Sequence, residues 1–434
     1  MVKRLTLKNG IRLILEYMPI LDTVSTGFFF TTGSANENKE TNGYTHFIEH
    51  MLFKGTDKTS AKEIVRKIEG VGGVFNAFTS RHLTSFYINI ISKYFERAID
   101  TLEDIILNSA FREEDISKEK KVVIEELKMV NDTPEETVSS QFFAHAYKGT
   151  SMALPIGGHI NNIKSISREK VYKYFKKHFN ANNLVISIAG NFDMDLAVKK
   201  LSAIKLKKDI KTVNKKAPFY YETIAKEKEE LNHVYFSLST PSYDANDNKK
   251  YSMNILNDIF GVSSYSRLYQ SVRENKGLCY NIYSSATSFI NGGIFEIAGS
   301  TSLKNYEETI ETVYKELNKL IDERITKEEL EESKESYKSS MAFSKLNANY
   351  IMNKNARNEI YASKYMSFKD IYKSIDKVNL KSVNEVIDEK LLNRKFFLTS
   401  VGPKGSKIIS KNMSKKFNLI RFIFYIFKSF SFYY

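Results

Sequence analysis

The chain has 434 residues, 42% hydrophobic and 27% charged, with a formal net charge of +14. That length and balance fit a soluble globular protein of two or three domains with a sizeable core. One cysteine, Cys279, excludes an internal disulfide and any cysteine metal cluster, so a metal site must be built from histidine and carboxylate. The lysines are spread along the chain among 51 acids, with no compact basic run and no nucleic-acid motif, which argues against a nucleic-acid partner.

The N-terminus lacks an apolar core followed by a small-residue cleavage site, so no secretory signal is read and a cytoplasmic location is expected. LTLKNGIRLILE predicts two strands joined at Asn9-Gly10. Next comes YTHFIEHMLFKG, residues 44 to 55, which holds His46, Glu49 and His50. On a helix, His46 and His50 project from one face, one turn apart, and Glu49 lies about 60° around from His46. Two imidazoles so placed are zinc-ligand geometry, and the adjacent glutamate can reach a water on the same metal. His-x-x-Glu-His is the inverzincin pattern, and the alternative is a solvated polar face.

GGVFNAFTSRHLTSFYINIIS predicts a strand pair, followed by helices in SKYFERAIDTLEDIILNSAF and REEDISKEKKVVIEELKM. In the second helix, Glu119, Val123, Glu126 and Val130 fall within about 60°. Carboxylates sharing a stripe with valines need a partner. Glu126 is therefore the candidate third ligand and Glu119 its supporting carboxylate, while Glu125 lies on another face and reads as a surface residue. NNLVISIAGNF closes this half as a strand, and a polar, lysine-rich linker follows.

The second half repeats the pattern at an offset of about 210 residues. GLCYNIYSSATSFINGGIFEIAGSTS is again a strand pair, two helices follow, and RKFFLTSVGP closes it. Each half is expected to be an antiparallel sheet with helices packed on one face, an α+β unit. Where the first half has THFIEHMLF the second has SMNILNDIF: the apolar positions persist, and both histidines and the glutamate are gone. The duplication thus separates the packing pattern from the polar triad. The expected organisation is a zinc-binding domain over 1–207, a linker over 208–228, a metal-free homologous domain over 229–410 and an aromatic-rich tail over 411–434. The tail is read as an appended segment, the alternative being contact with a membrane surface or a partner.

From about residue 3 to residue 403 the chain resembles the pitrilysin/insulinase group of peptidases, near its bacterial branch similar to the mitochondrial processing peptidase. HFIEH matches the family motif, Glu126 stands 76 positions after His50 at the family spacing of the metal-binding glutamate, and Glu119 stands where the family carries another. The resemblance implies a Zn2+ endopeptidase acting on peptides bound as an added strand, with Glu49 as general base. It carries Asn76 and Ala77 over as substrate-contacting positions on an edge strand. His82 stands where the family usually has an acidic residue, which puts the local loop pairing in question. Arg273 and Tyr280 match the family's Arg-x6-Tyr segment, which contacts substrate and helps the oxyanion. The resemblance also implies that a second chain completes the chamber, with a homodimer sufficing. Its alternatives are a heterodimer or a non-catalytic, activating subunit. Cys279 reads as a small buried apolar residue.

Overall fold

The computed structural model describes residues 1–392 and 395–417. The chain opens as expected: strands β1 (Val2–Thr6) and β2 (Arg12–Tyr17) pair antiparallel, and Gly10 takes a φ of +94° in the turn, a conformation open to glycine. β3 (Thr23–Phe30), β4 (Val74–Thr79), β5 (Thr84–Ile91) and β6 (Leu184–Gly190) complete a six-stranded sheet in the order β1-β2-β6-β3-β5-β4. A second sheet holds β7 (Thr223–Glu227), β8 (His233–Ser242), β9 (Cys279–Phe289), β10 (Gly292–Ser302) and β11 (Phe397–Gly402), in the order β7-β11-β8-β10-β9. The two orders are the same when β2, β6, β3, β5 and β4 are set against β7, β11, β8, β10 and β9, which makes the duplication visible strand by strand. The fold is α+β, with two related units.

The sheets are not wholly antiparallel. β2 pairs parallel with β6, and β7 with β11. Each closing strand returns after a long helical connection, which permits parallel pairing. β4 and β9 are equivalent sheet edges.

The first core lies between one face of the first sheet and the helices α1 (Tyr44–Leu52), α2 (Ala61–Glu69), α3 (Phe95–Asn108) and α4 (Glu113–Asp132). α1 buries Phe47, Ile48, Met51 and Leu52, and its polar residues lie on the other side. In the second half, the positions of His46, Glu49 and His50 are taken by Met253, Leu256 and Asn257, all buried. The shared apolar pattern therefore serves packing in both halves.

The compact units do not follow the linear division of the chain. The first comprises 1–129, 150–215 and 340–368, and the second, among the described residues, 130–149, 216–339, 369–392 and 395–417. In the first unit, the helix Ala348–Ala362 covers the sheet face opposite α1. Its Ile351, Met352 and Ala356 pack with Phe29, Val185 and Ala189, Ser187 Oγ donates to Met352 O at 2.9 Å, and Arg4 and Arg12 both pair with Glu359. In the second unit, α5 (Pro134–Ala146) lies against the sheet, with the Phe142 ring 5.5 Å from that of Phe397. Helices on one face only, as expected from the sequence, is thus corrected in the first unit: both faces of its sheet are covered. Residues 204–222 carry no regular structure, but β7 begins inside the expected linker, and residue 411 falls within a helix over 406–417. The aromatic tail from residue 418 lies outside the described residues. Among the described residues no helix is long and apolar enough to cross a membrane.

Candidate metal centre

α1 starts at Gly43, whose φ is +95°, and runs through the triad. His46 and His50 stand one turn apart, with their Nε2 atoms 3.3 Å from each other. α4 brings Glu126 to both: Oε1 is 3.6 Å from His46 Nε2 and Oε2 is 3.4 Å from His50 Nε2. One ligand atom from each of the three residues lies within 4.8 Å of the others. Two nitrogens bound to one tetrahedral zinc at about 2.0–2.1 Å would be about 3.3–3.4 Å apart. The observed spacing fits.

The hydrogen bonds fit as well. Glu119, 3% exposed, accepts from His50 Nδ1 at 2.8 Å and from Lys54 Nζ at 2.6 Å. Burial pushes the Glu119 carboxyl up, but the hydrogen bonds from His50 and Lys54 outweigh it and the group ends below its ordinary value. An ionised Glu119 fixes the proton of His50 on Nδ1 and turns the Nε2 lone pair into the site, the arrangement a metal-ligating imidazole needs. Burial and then the neighbouring His50 pull His46 down to about 4, so it is neutral at pH 7 with a lone pair to give. Burial lowers His50 as well, but its hydrogen bond to Glu119 and the charges of Glu119, Glu126 and Glu49 outweigh it and raise the imidazole above its ordinary value. Glu125, by contrast, is exposed and paired with Lys128 at 2.8 Å.

Glu49 stands beside the three. It accepts a short hydrogen bond from Thr79 Oγ1 on β4, and burial pushes its carboxyl up. β4 is the open edge. Asn76 is exposed there, its Oδ1 accepting from Ala77 N at 2.8 Å, and Ala77 is half-buried. His82 is buried in the turn after β4, with Nδ1 3.2 Å from Asn214 Oδ1. The turn holds regardless: Thr79 pairs with Thr84, and Ser80 N donates to Leu83 O at 2.8 Å.

Arg273 and Tyr280 belong to the second unit. The guanidinium lies 5.0 Å from the centre of the Tyr280 ring, and Tyr280, on edge strand β9, is 83% exposed. Cys279 is buried and its thiol is pushed up to about 11 by that burial, in keeping with an inert packing role. Thr79 and Lys54 were missed in the sequence. Their roles depend on how β4 and the chain after α1 meet the site, which no periodicity encodes.

Known proteins bear on this geometry. Residues 12–159 match the family described as Insulinase (Peptidase family M16), and residues 165–337 match its Peptidase M16 inactive domain. An uncharacterised zinc protease of Bacillus subtilis is 34% identical over 408 residues, covering 94% of this chain and 99% of that protein. Another from Rickettsia felis is 32% identical, covering 86% of this chain and 90% of that one. Among solved structures, a protease from Helicobacter pylori has a TM-score of 0.86 at 18% identity, covering 93% of this chain and 99% of that chain. A chain of complex III from Candida albicans has a TM-score of 0.83 at 21% identity, covering 95% of this chain and 100% of that chain. These structures show the fold, and the relatives are named for the metal that the donor set suits. The chain belongs to the insulinase family of zinc peptidases, peptidase family M16.

Proposed function

We propose that this protein is a zinc metalloendopeptidase that hydrolyses peptides or unfolded polypeptide segments. The observation that carries the reading is the convergence of His46, His50 and Glu126 with a further carboxylate, Glu49, held by Thr79 at an open sheet edge. When bound, zinc supplies a water of pKa about 7 and a Lewis acid for the carbonyl. Glu49, held through Oε2 by Thr79, keeps Oε1 free to accept a proton and return it to the leaving amine nitrogen. Glu119 and Lys54 keep the His50 tautomer fixed. Substrate adds to β4 as an extended strand near Asn76 and Ala77, so main-chain hydrogen bonds give affinity with little demand on sequence.

The test is a pair of isosteric changes on one helix. Glu126→Gln is expected to lose zinc, measured by metal analysis after dialysis, and with it cleavage of an unfolded polypeptide. Glu125→Gln is expected to keep both. The opposite pattern would overturn the ligand assignment, and a metal-loaded wild type without cleavage would overturn the activity. The non-catalytic reading is not favoured, because His46, His50 and Glu126 are present and assembled with Glu49 beside them.

The proposal extends to a homodimer in which Arg273 and Tyr280 of one copy serve the zinc of the other. The exposure of Tyr280, engaged here with Arg273 and little else that would bury it, supports this. Tyr280→Phe and His50→Ala homodimers are each expected to be nearly inactive. After subunit exchange, verified by native mass spectrometry, the mixture should regain part of the activity, because one site combines an intact zinc with an intact tyrosine. Verified mixed dimers with no recovery would sink the arrangement.

A further inference from the structure

His50 and His46 are held in different ways. The ring of His50 is tied by Glu119, whereas His46 Nδ1 is buried with no hydrogen-bond partner among the described residues. No hydrogen bond at Nδ1 therefore fixes the His46 ring from behind, and His46 sits in the first turn of α1, where few ladder bonds exist. The Gly43 cap has no side chain to offer.

A buried carboxylate from outside the helix takes that place. Glu37, 4% exposed, lies in the loop after β3. Its Oε2 accepts from Gly43 N at 2.8 Å and from Asn42 Nδ2 at 3.1 Å, and its Oε1 accepts from Thr45 N at 2.7 Å. A carboxylate that receives the first N–H groups of a helix also complements the helix dipole. Asn42 extends the grip, because its Nδ2 also donates to Pro155 O at 2.9 Å. That contact straps the segment Pro155–Gly158 across the helix start. Gly158 has no room for a side chain there: a β-carbon on it would come within 2.5 Å of Gly43 Cα. One on Gly157 would meet Leu127 Cδ2 at 2.6 Å and stand 3.7 Å from His46 Nδ1. The first turn of the helix thus hangs from the Glu37 carboxylate, and the loop is tied to it through Asn42.

We infer that Glu37 is a positioning residue for the metal centre, setting the place of His46 by anchoring the first turn of α1 and the Pro155–Gly158 loop, whereas His50 is set by Glu119. Burial pushes the Glu37 carboxyl up to about 7, against the pull of its hydrogen bonds from Thr45, Gly43 and Asn42. The inference rests on the zinc-peptidase reading for its consequence in catalysis, but the anchoring itself does not depend on that reading.

The test uses the full chain with Glu37→Gln, which preserves volume but turns an N–H toward the N–H groups of Gly43, Asn42 or Thr45. Ile99→Val, a buried change on α3 away from the site, serves as the stability control. Measured at about pH 8, above the Glu37 ionisation, Glu37→Gln is expected to bind zinc about tenfold more weakly by chelator competition. It should also lower kcat while KM stays near the parent value. Hydrogen exchange should speed up in residues 43–50 and stay unchanged in α3. Ile99→Val should alter melting temperature alone. A folded Glu37→Gln protein with parental zinc affinity and parental exchange over 43–50 would overturn the inference. If the wild type neither binds zinc nor cleaves, the peptidase reading fails, and the exchange result still decides whether Glu37 anchors the turn.

Discussion

Glu49→Gln is expected to retain zinc at the parental level and to lose peptide cleavage by about 10³-fold, close to 4 kcal/mol of barrier. Retention follows from geometry: the atoms that converge as a metal site belong to His46, His50 and Glu126, and Glu49 is not among them. The fold should also survive. Glu49 lies on the polar side of α1, and a glutamine oxygen can still accept from Thr79 Oγ1. What is lost is a carboxylate able to take a proton. Burial already raises the proton affinity of Glu49, the direction a general base near neutral pH requires. Metal content by mass spectrometry and turnover of a fluorogenic peptide decide the matter. A variant with full zinc and a near-normal rate would remove Glu49 as the base. Incubated with a cell lysate, the same variant should hold uncleaved peptides, whose sequences would name the substrate.

The centre was legible where chemistry coincides with helical periodicity. His46 and His50 declare themselves by spacing on one helix, and Glu126 and Glu119 by sharing a face with Val123. Their counterparts Met253, Leu256 and Asn257 in the second half show that packing alone does not ask for the triad. Thr79, Lys54 and Glu37 were not legible, because each reaches the site through a tertiary contact. Thr79 depends on where β4 is paired against β5, and Glu37 on a loop folding back eight positions onto Thr45. The strand content was readable from alternation, but not the parallel pairs. β6 is buried along its whole length, which marks a central strand without naming its neighbours. The helix Ala348–Ala362 was not read from the sequence at all, and its Ile351, Met352 and Ala356 do not by themselves name the sheet they cover.

That last point carries a large expected effect. A fragment ending at residue 207 contains every strand of the first sheet, α1, α4 and the whole candidate metal centre. It lacks Ala348–Ala362, and that omission bares Phe29, Val185, Ala189 and Ile14 on the opposite sheet face. Ile351 and Met352 alone, each essentially fully buried, account for about 3–6 kcal/mol at 1.5–3 kcal/mol per large apolar side chain. Re-exposure of the sheet residues adds a similar amount, and Arg4 and Arg12 lose the carboxylate of Glu359. The sum rivals the 5–15 kcal/mol by which whole domains are stable. The fragment 1–207 is therefore expected to show no cooperative thermal transition and to bind zinc poorly, despite holding His46, His50 and Glu126. Coexpressed with 208–434, which carries the missing helix and itself lacks α5, it should copurify and regain both properties. Cooperative melting of the isolated fragment, with native-like exchange protection in β3 and β6, would show that the donated helix is dispensable. In full-length protein, Met352→Asp should reproduce much of the loss, since it sets an unpaired carboxylate against Phe29 and Val185 without touching a metal ligand.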